Sequence, residues 1–267
     1  MDMIDYSLRI GIFLLLVSAL LIWQWRAPRK PLQQWRLRWR HNISLLVVDS
    51  LLVRLCQPLI LSFVALLPAF IYAPLPNLPE PIAIIVALVL MDALIYWQHR
   101  LFHTVPWLWR LHRVHHSDPE LDVSSAVRFH PVEILLSLAI KALAIWLLGI
   151  PVLAVLLFDA LLNGFAMFNH TNVHIRDKFD QLLRLFVVTP DMHRIHHSRT
   201  SQEANSNYGF CLSIWDRLFQ SYTPDSEHGD NALNIGMPDT QHYAPKTLLE
   251  LLKMPFTSLF HRKDSSS

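Results

Sequence analysis

Glycine is scarce in this chain, at 6 of 267 residues. No G-x-G-x-x-G stretch and no P-loop occurs, which argues against a dinucleotide fold or a glycine-rich phosphate cradle. Two cysteines, Cys56 and Cys211, give neither a disulfide framework nor a C-x-x-C metal site. Charge is also sparse, at 16% of residues against 52% hydrophobic, with a net +2. The basic residues flank apolar runs and do not interleave with aromatics along one face, so nucleic acid is not an expected partner.

Long apolar runs are present instead. A bilayer-spanning helix needs about 20 mostly apolar residues, and Ser7–Trp25 is the first candidate. It lacks a basic leader and a small-residue cleavage site, so a retained span is expected over a removable signal. Arg26, Arg29, Lys30, Arg36, Arg38 and Arg40 follow, with no acid before Asp49. The positive-inside rule assigns that segment to the cytoplasm. Further runs cover Leu51–Tyr72, Pro81–Trp97, Pro131–Leu148 and Val152–Phe168. Lys141 and Asp159 interrupt the last two, which either cross or dip in as a hairpin. Lys246–Phe260 has the pattern of an interfacial amphipathic helix. The expected fold is therefore an all-α integral membrane protein with four to five spanning or dipping helices and a cytoplasmic helical cap. Residues 1–78 hold the first membrane helices and the basic segment, 79–222 the histidine clusters, and 223–267 a cytoplasmic tail.

Histidine is the residue in excess, with 15 copies. His99 and His103 stand four apart, as do His170 and His174; His112, His115 and His116 share an H-x2-H-H spacing with His193, His196 and His197. On a helix, residues three and four apart lie on one face. Thr189-Pro190-Asp191 reads as a helix start just before the last set. The topology drawn from Lys and Arg alone puts every set at the cytoplasmic side. Ten imidazoles are too many for one ion, and two ions with about five nitrogens each is the natural division. Ligand type leaves Zn, Cu, Fe and Ni open. An imidazole-rich two-metal site suits iron handling oxygen better than a four-ligand structural zinc. Asp92, Asp118, Asp122, Glu133 and Asp191 are candidate partners for ring N–H groups, with solvated or capping roles weighed equally. His41, His228, His242 and His261 have no spaced partner and stay unassigned; His130 is intermediate. Trp97, Trp107 and Trp109 fit interfacial anchoring better than the lining of a passage.

The ordered sets H99-x3-H103, H112-x2-H115-H116, H170-x3-H174 and H193-x2-H196-H197, with "RFHPVE" and "NYGFCLSIWDRLF", resemble the fatty acid hydroxylase/sterol desaturase superfamily over about residues 80–222. The resemblance implies a membrane non-haem di-iron oxygenase whose ten spaced histidines hold two iron ions. Its bacterial branch implies the inner membrane, with the site on the cytoplasmic face. It further implies a lipid substrate drawn from the bilayer, such as a fatty-acyl chain, sterol or ether lipid, hydroxylated or desaturated with O2. No fused cytochrome b5-like domain is expected, so electrons would come from a separate ferredoxin- or cytochrome b5-like partner with its reductase. Two other readings remain at this stage: a zinc-dependent lipid hydrolase, and a metal transporter or sensor. A transporter would place its ligands near mid-membrane.

Overall fold

The computed structural model describes residues 3–67, 73–227, 229, 233–238 and 247–257. Among these the elements are helical, and pairing of extended segments is limited to isolated bridges. Four helices are long and apolar enough to cross a bilayer. They are α2 (Trp35–Leu66), α3 (Glu80–Thr104), α5 (Pro131–Leu148) and α6 (Val152–His170). The N-terminal helix α1 (Met3–Arg26) carries a shorter apolar stretch, Phe13–Arg26.

The second apolar run begins earlier than the sequence suggests. Arg36, Arg38 and Arg40 lie in the first turns of α2, which has 32 residues. At 1.5 Å per residue it is about 48 Å long, well beyond a hydrocarbon core of ~30 Å. The expected end of that run, residues 68–72, lies outside the described residues. Leu51, Leu55, Leu59, Phe63 and Leu66 form an exposed stripe along the far half of α2, the spacing of a lipid-facing helix side. The near half instead packs on the polar region around Val123–Val127.

Prolines set the turns that shape the site. Val105, which precedes Pro106, is extended (φ −96°, ψ 116°) and ends α3, because a residue before proline is driven from the helical region. Helix α4 (Pro106–His116) starts at once and doubles back along α3. At the opposite end, Gly149 closes α5 at φ +65°. A Cβ there would lie 2.7 Å from the Pro76 ring carbons, so glycine is required both by conformation and by space.

The polar cap comprises α4, α7 (Asp177–Leu183), α8 (Pro190–His196), α9 (Ser201–Ala204), α10 (Ile214–Leu218) and α11 (Leu248–Lys253). Thr189 caps α8 by accepting from the Met192 N–H at 3.3 Å, as its Thr-Pro-Asp spelling predicts. Within the expected interfacial helix, α11 buries Leu251 and leaves Leu249 exposed, and Phe256 in the turn after it is exposed as well. Met254 and Leu251 pack against Leu45 and Val114, so one face seals the cap. Lys246 and residues 258–260 lie outside the described residues, as do His228, His242 and His261.

Candidate metal centre

The histidines gather at the shared end of α3, α4, α6 and α8. His99, His103, His112, His116 and His196 bring one ring nitrogen each within 4.8 Å of one another. His115, His170, His193 and His197 form a second group by the same measure. Both groups are buried. Each H-x2-H-H set is divided between them. In α4 the i, i+4 pair His112 and His116 goes to the first group and His115 to the second; in α8 the pair His193 and His197 goes to the second and His196 to the first. The two groups are laced together by this exchange, and His116 stacks on His197 with centroids 4.3 Å apart.

His174 is not brought into either group. Helix α6 ends at His170, and Thr171 turns the chain at ψ 131°. The four-residue spacing therefore loses its helical meaning, and Val173 bridges to Pro28 instead. The His174 side chain is half exposed, with Nδ1 3.6 Å from Asp191 and Nε2 3.7 Å from Asp177. The second group thus has four imidazoles where the spacing anticipated five.

Nδ1 of several rings is held from behind. His99 donates to the Tyr208 carbonyl at 2.8 Å, His196 to Ser206 at 2.8 Å, His170 to Ala166 at 2.6 Å and His115 to Arg128 at 3.2 Å. His112 donates to the Glu133 carboxylate at 2.7 Å. Such bonds fix the tautomer with the lone pair on Nε2. The Nε2 atoms then converge: His99 on His112 at 3.2 Å, His170 on His115 at 3.1 Å, and His193 on both His170 and His197 at 3.2 Å. Two nitrogens each ~2.1 Å from one ion, at angles of 90–110°, stand roughly 3.0–3.4 Å apart. The Nε2 atoms of His103, His116 and His196 are buried without any hydrogen-bond partner, a costly state unless something accepts their lone pairs. The donor set fits a metal on both counts.

Burial keeps these rings neutral. It lowers His112 to about 3, and it pushes His115, His116, His193, His196 and His197 well below the usual imidazole range, with neighbouring histidines adding to the effect. A neutral imidazole is the form a metal binds.

Of the five acids considered as ring partners, Glu133 alone bonds a clustered histidine. Asp92 accepts from the Cys211 and Leu212 N–H groups and from Trp215 Nε1 (2.8 Å), pinning the Tyr208–Asp216 segment to α3. Asp118 and Asp122 bind Arg38, a buried hub that also reaches Ser125. Burial alone would raise Asp118, but Arg38 and Arg128 hold it down to about 2. Asp191 pairs with Arg29. His130 caps α5 by accepting from the Val132 N–H at 3.2 Å, and its other nitrogen donates to the Leu252 carbonyl. His41 is also buried. The backbone carbonyls of Tyr208, Ser206, Ala166 and Arg128 are functional groups that side-chain spelling cannot reveal. Gly209 gives the one trace of them: a Cβ there would meet Asp216 Oδ2 at 2.7 Å, the carboxylate that holds the Tyr208 and Gly209 N–H groups.

A cavity of about 350 Å³ opens against the first group, with His99 and His112 in its wall. Phe102, Phe129 and Phe210 line it beside the rings, and Leu138 and Leu162 continue it between the apolar helices. Residues 84–221, more than half of the chain, match the fatty acid hydroxylase family. The chain belongs to that family. An ornithine lipid hydroxylase of Rhizobium tropici is 35% identical over 144 residues, covering 54% of this chain and 43% of its own length. Human alkylglycerol monooxygenase is 33% identical over 134 residues, 49% of this chain and 28% of its own. The zebrafish (Danio rerio) alkylglycerol monooxygenase is 34% identical over 132 residues, with shares of 49% and 28%. The match thus spans less than half the length of these relatives. No solved structure matches. Within this fatty acid hydroxylase family member, all nine converging histidines fall inside the matched region.

Proposed function

We propose that the chain is a membrane lipid hydroxylase or desaturase working through two iron ions held by the buried histidines. The observation that carries this reading is the pair of interlaced imidazole groups, with unsatisfied Nε2 atoms facing one another, in a member of this family. His99, His103, His112, His116 and His196 would hold one ion, and His115, His170, His193 and His197 the other. The ions would supply O2 activation with two electrons and two protons: one oxygen atom enters a C–H bond and the other leaves as water, or two substrate hydrogens leave with both oxygen atoms as two waters and a double bond remains.

The chain's own residues do the positioning. Glu133 and the four carbonyls aim the rings. Phe129, stacked on His115 at 4.5 Å, and Phe210 shield the site from water on the cavity side. The cavity admits an apolar chain from between the helices and brings it to His99 and His112. Electrons would come from a separate ferredoxin- or cytochrome b5-like partner and its reductase. The site would face the cytoplasm of a bacterial inner membrane, as the basic residues from the end of α1 through the first turns of α2 favour.

The ligands lie at the ends of α3 and α6, away from mid-membrane, which disfavours a transport pathway. Iron analysis with oxygen uptake tests the reading. Purified protein supplied with a chemical reductant and a mixed lipid extract should hold about two irons per chain and consume O2 with a +16 or −2 mass change in a lipid. Ester cleavage without O2 by a zinc-loaded protein would overturn it.

A further inference from the structure

The cavity beside the histidines is not purely apolar. Asp49 of α2 and Glu133 of α5 both line it, and they are only 6% and 4% exposed. Among the described residues the Asp49 side chain has no hydrogen-bond or ion-pair partner, and its Oδ1 is fully buried. Glu133 spends Oε1 on His112 and leaves Oε2 without a partner. Among the described residues, Lys141 is the one lysine or arginine lining the cavity, and it is already bonded to Asp159 at 2.9 Å.

Depth matters here. Asp49 lies 17 residues before Leu66, about 26 Å along α2, close to the ~30 Å hydrocarbon thickness. Glu133 sits in the first turn of α5. Both acids therefore stand at the edge of the membrane interior on the histidine side, where a lipid's polar end would lie. An uncompensated carboxylate at such a site is expensive, and an ionisable group inside a span points to a ligand or relay.

We infer that this cavity binds a lipid through a protonated amine on its polar end, held by Asp49 with Glu133 beside it. The inference rests on the lipid-oxidation reading and names the substrate class for that site. An ammonium supplies both the hydrogen-bond donors and the positive charge that two acids lack, whereas a hydroxyl supplies donors alone. Its apolar chain follows Leu138 and Leu162 between the helices. The carbons next to the amine then lie against His99 and His112, so oxidation falls near the polar end of the lipid.

Binding to the metal-free full-length protein in nanodiscs separates this from turnover. Three monoacyl lipids of one chain length would be compared, ending in a primary amine, a glycerol diol or a carboxylate. The amine lipid should bind at least about tenfold tighter than the other two, the scale of a desolvated charge pair. Asp49→Asn, which keeps the volume, should bring the three within about threefold, and Asp49→Glu should keep the amine preference. Equal or tighter binding of the diol or carboxylate lipid to the wild type would overturn the inference. So would an Asp49→Asn protein of unchanged melting temperature that still prefers the amine. Neither result depends on iron or O2, so failure of the oxidation reading would be seen separately, in the oxygen-uptake assay.

Discussion

The histidines of one spelling do not share one fate. His196→Ala removes a ring whose Nε2 faces the first group and whose Nδ1 is anchored on Ser206; at least one iron equivalent should be lost, with activity falling more than about 100-fold, while the helices still insert. His174→Ala removes contacts to Arg29 at 3.3 Å and, beyond 3.5 Å, to Asp177 and Asp191, none of them a clustered ring, and should retain both equivalents. Metal analysis of the two variants decides between a nine- and a ten-histidine site. Nine of the ten spaced histidines are brought together, as their spacing suggests, because their sets fall on α3, α4 and α8 with its C-cap His197, or, for His170, on the last residue of α6. The tenth, His174, lies outside both groups because spacing carries direction only while the helix lasts. The neutral state of the cluster has its own consequence. Folded pKa values lie below the unfolded value of 6.5, as for His112 at about 3. Below pH 6.5 the unfolded chain therefore binds more protons than the folded one, and stability falls as pH drops from about 6.5 towards 3. Thermal melts of metal-free protein should shift down by more than about 5 °C between pH 7.5 and 5.5, and iron should reduce that shift.

At the scale of elements, turns carry the precision and helices the reach. Helix identity was readable from apolar run length, since α3, α5 and α6 fall close to the expected runs. The start of α2 was not, because arginines that would be costly in lipid are satisfied in the cap: Arg38 binds Asp118, Asp122 and the Glu120 carbonyl. A sequence window sees only the charge and not its remote partners. Two glycines test the turns separately. Gly149→Ala, at φ +65° against Pro76, should cost about 1–2 kcal/mol or more in stability and leave iron content unchanged, since the histidines lie at the other end of α5. Gly209→Ala should instead displace Asp216 from the Tyr208 N–H and loosen the carbonyl that holds His99. Its expected mark is weaker iron retention against a chelator, by about 10-fold, with a smaller change in melting temperature.

Over the whole molecule the usual distribution is reversed: the spans expose leucine and isoleucine, and the buried polar groups concentrate in the cap. The proposed orientation can be tested at the two ends of that layout. Asn77, between α2 and α3, and Lys178, in α7, lie at opposite ends of the helices and are both exposed. With the histidine end in the cytoplasm, a cysteine at 77 should react with an impermeant maleimide on intact cells and one at 178 only after permeabilisation; the reverse would invert the proposed orientation. The exchange of histidines between α4 and α8 bears on how the protein is made. A ribosome that has released everything through His116 has emitted four of the first group and only His115 of the second. Neither group closes until α8 has emerged and docked. If the two groups hold iron as proposed, loading waits until α8 has emerged, after the four long apolar helices, and a nascent chain stopped before His193 should hold no iron that resists a mild chelator.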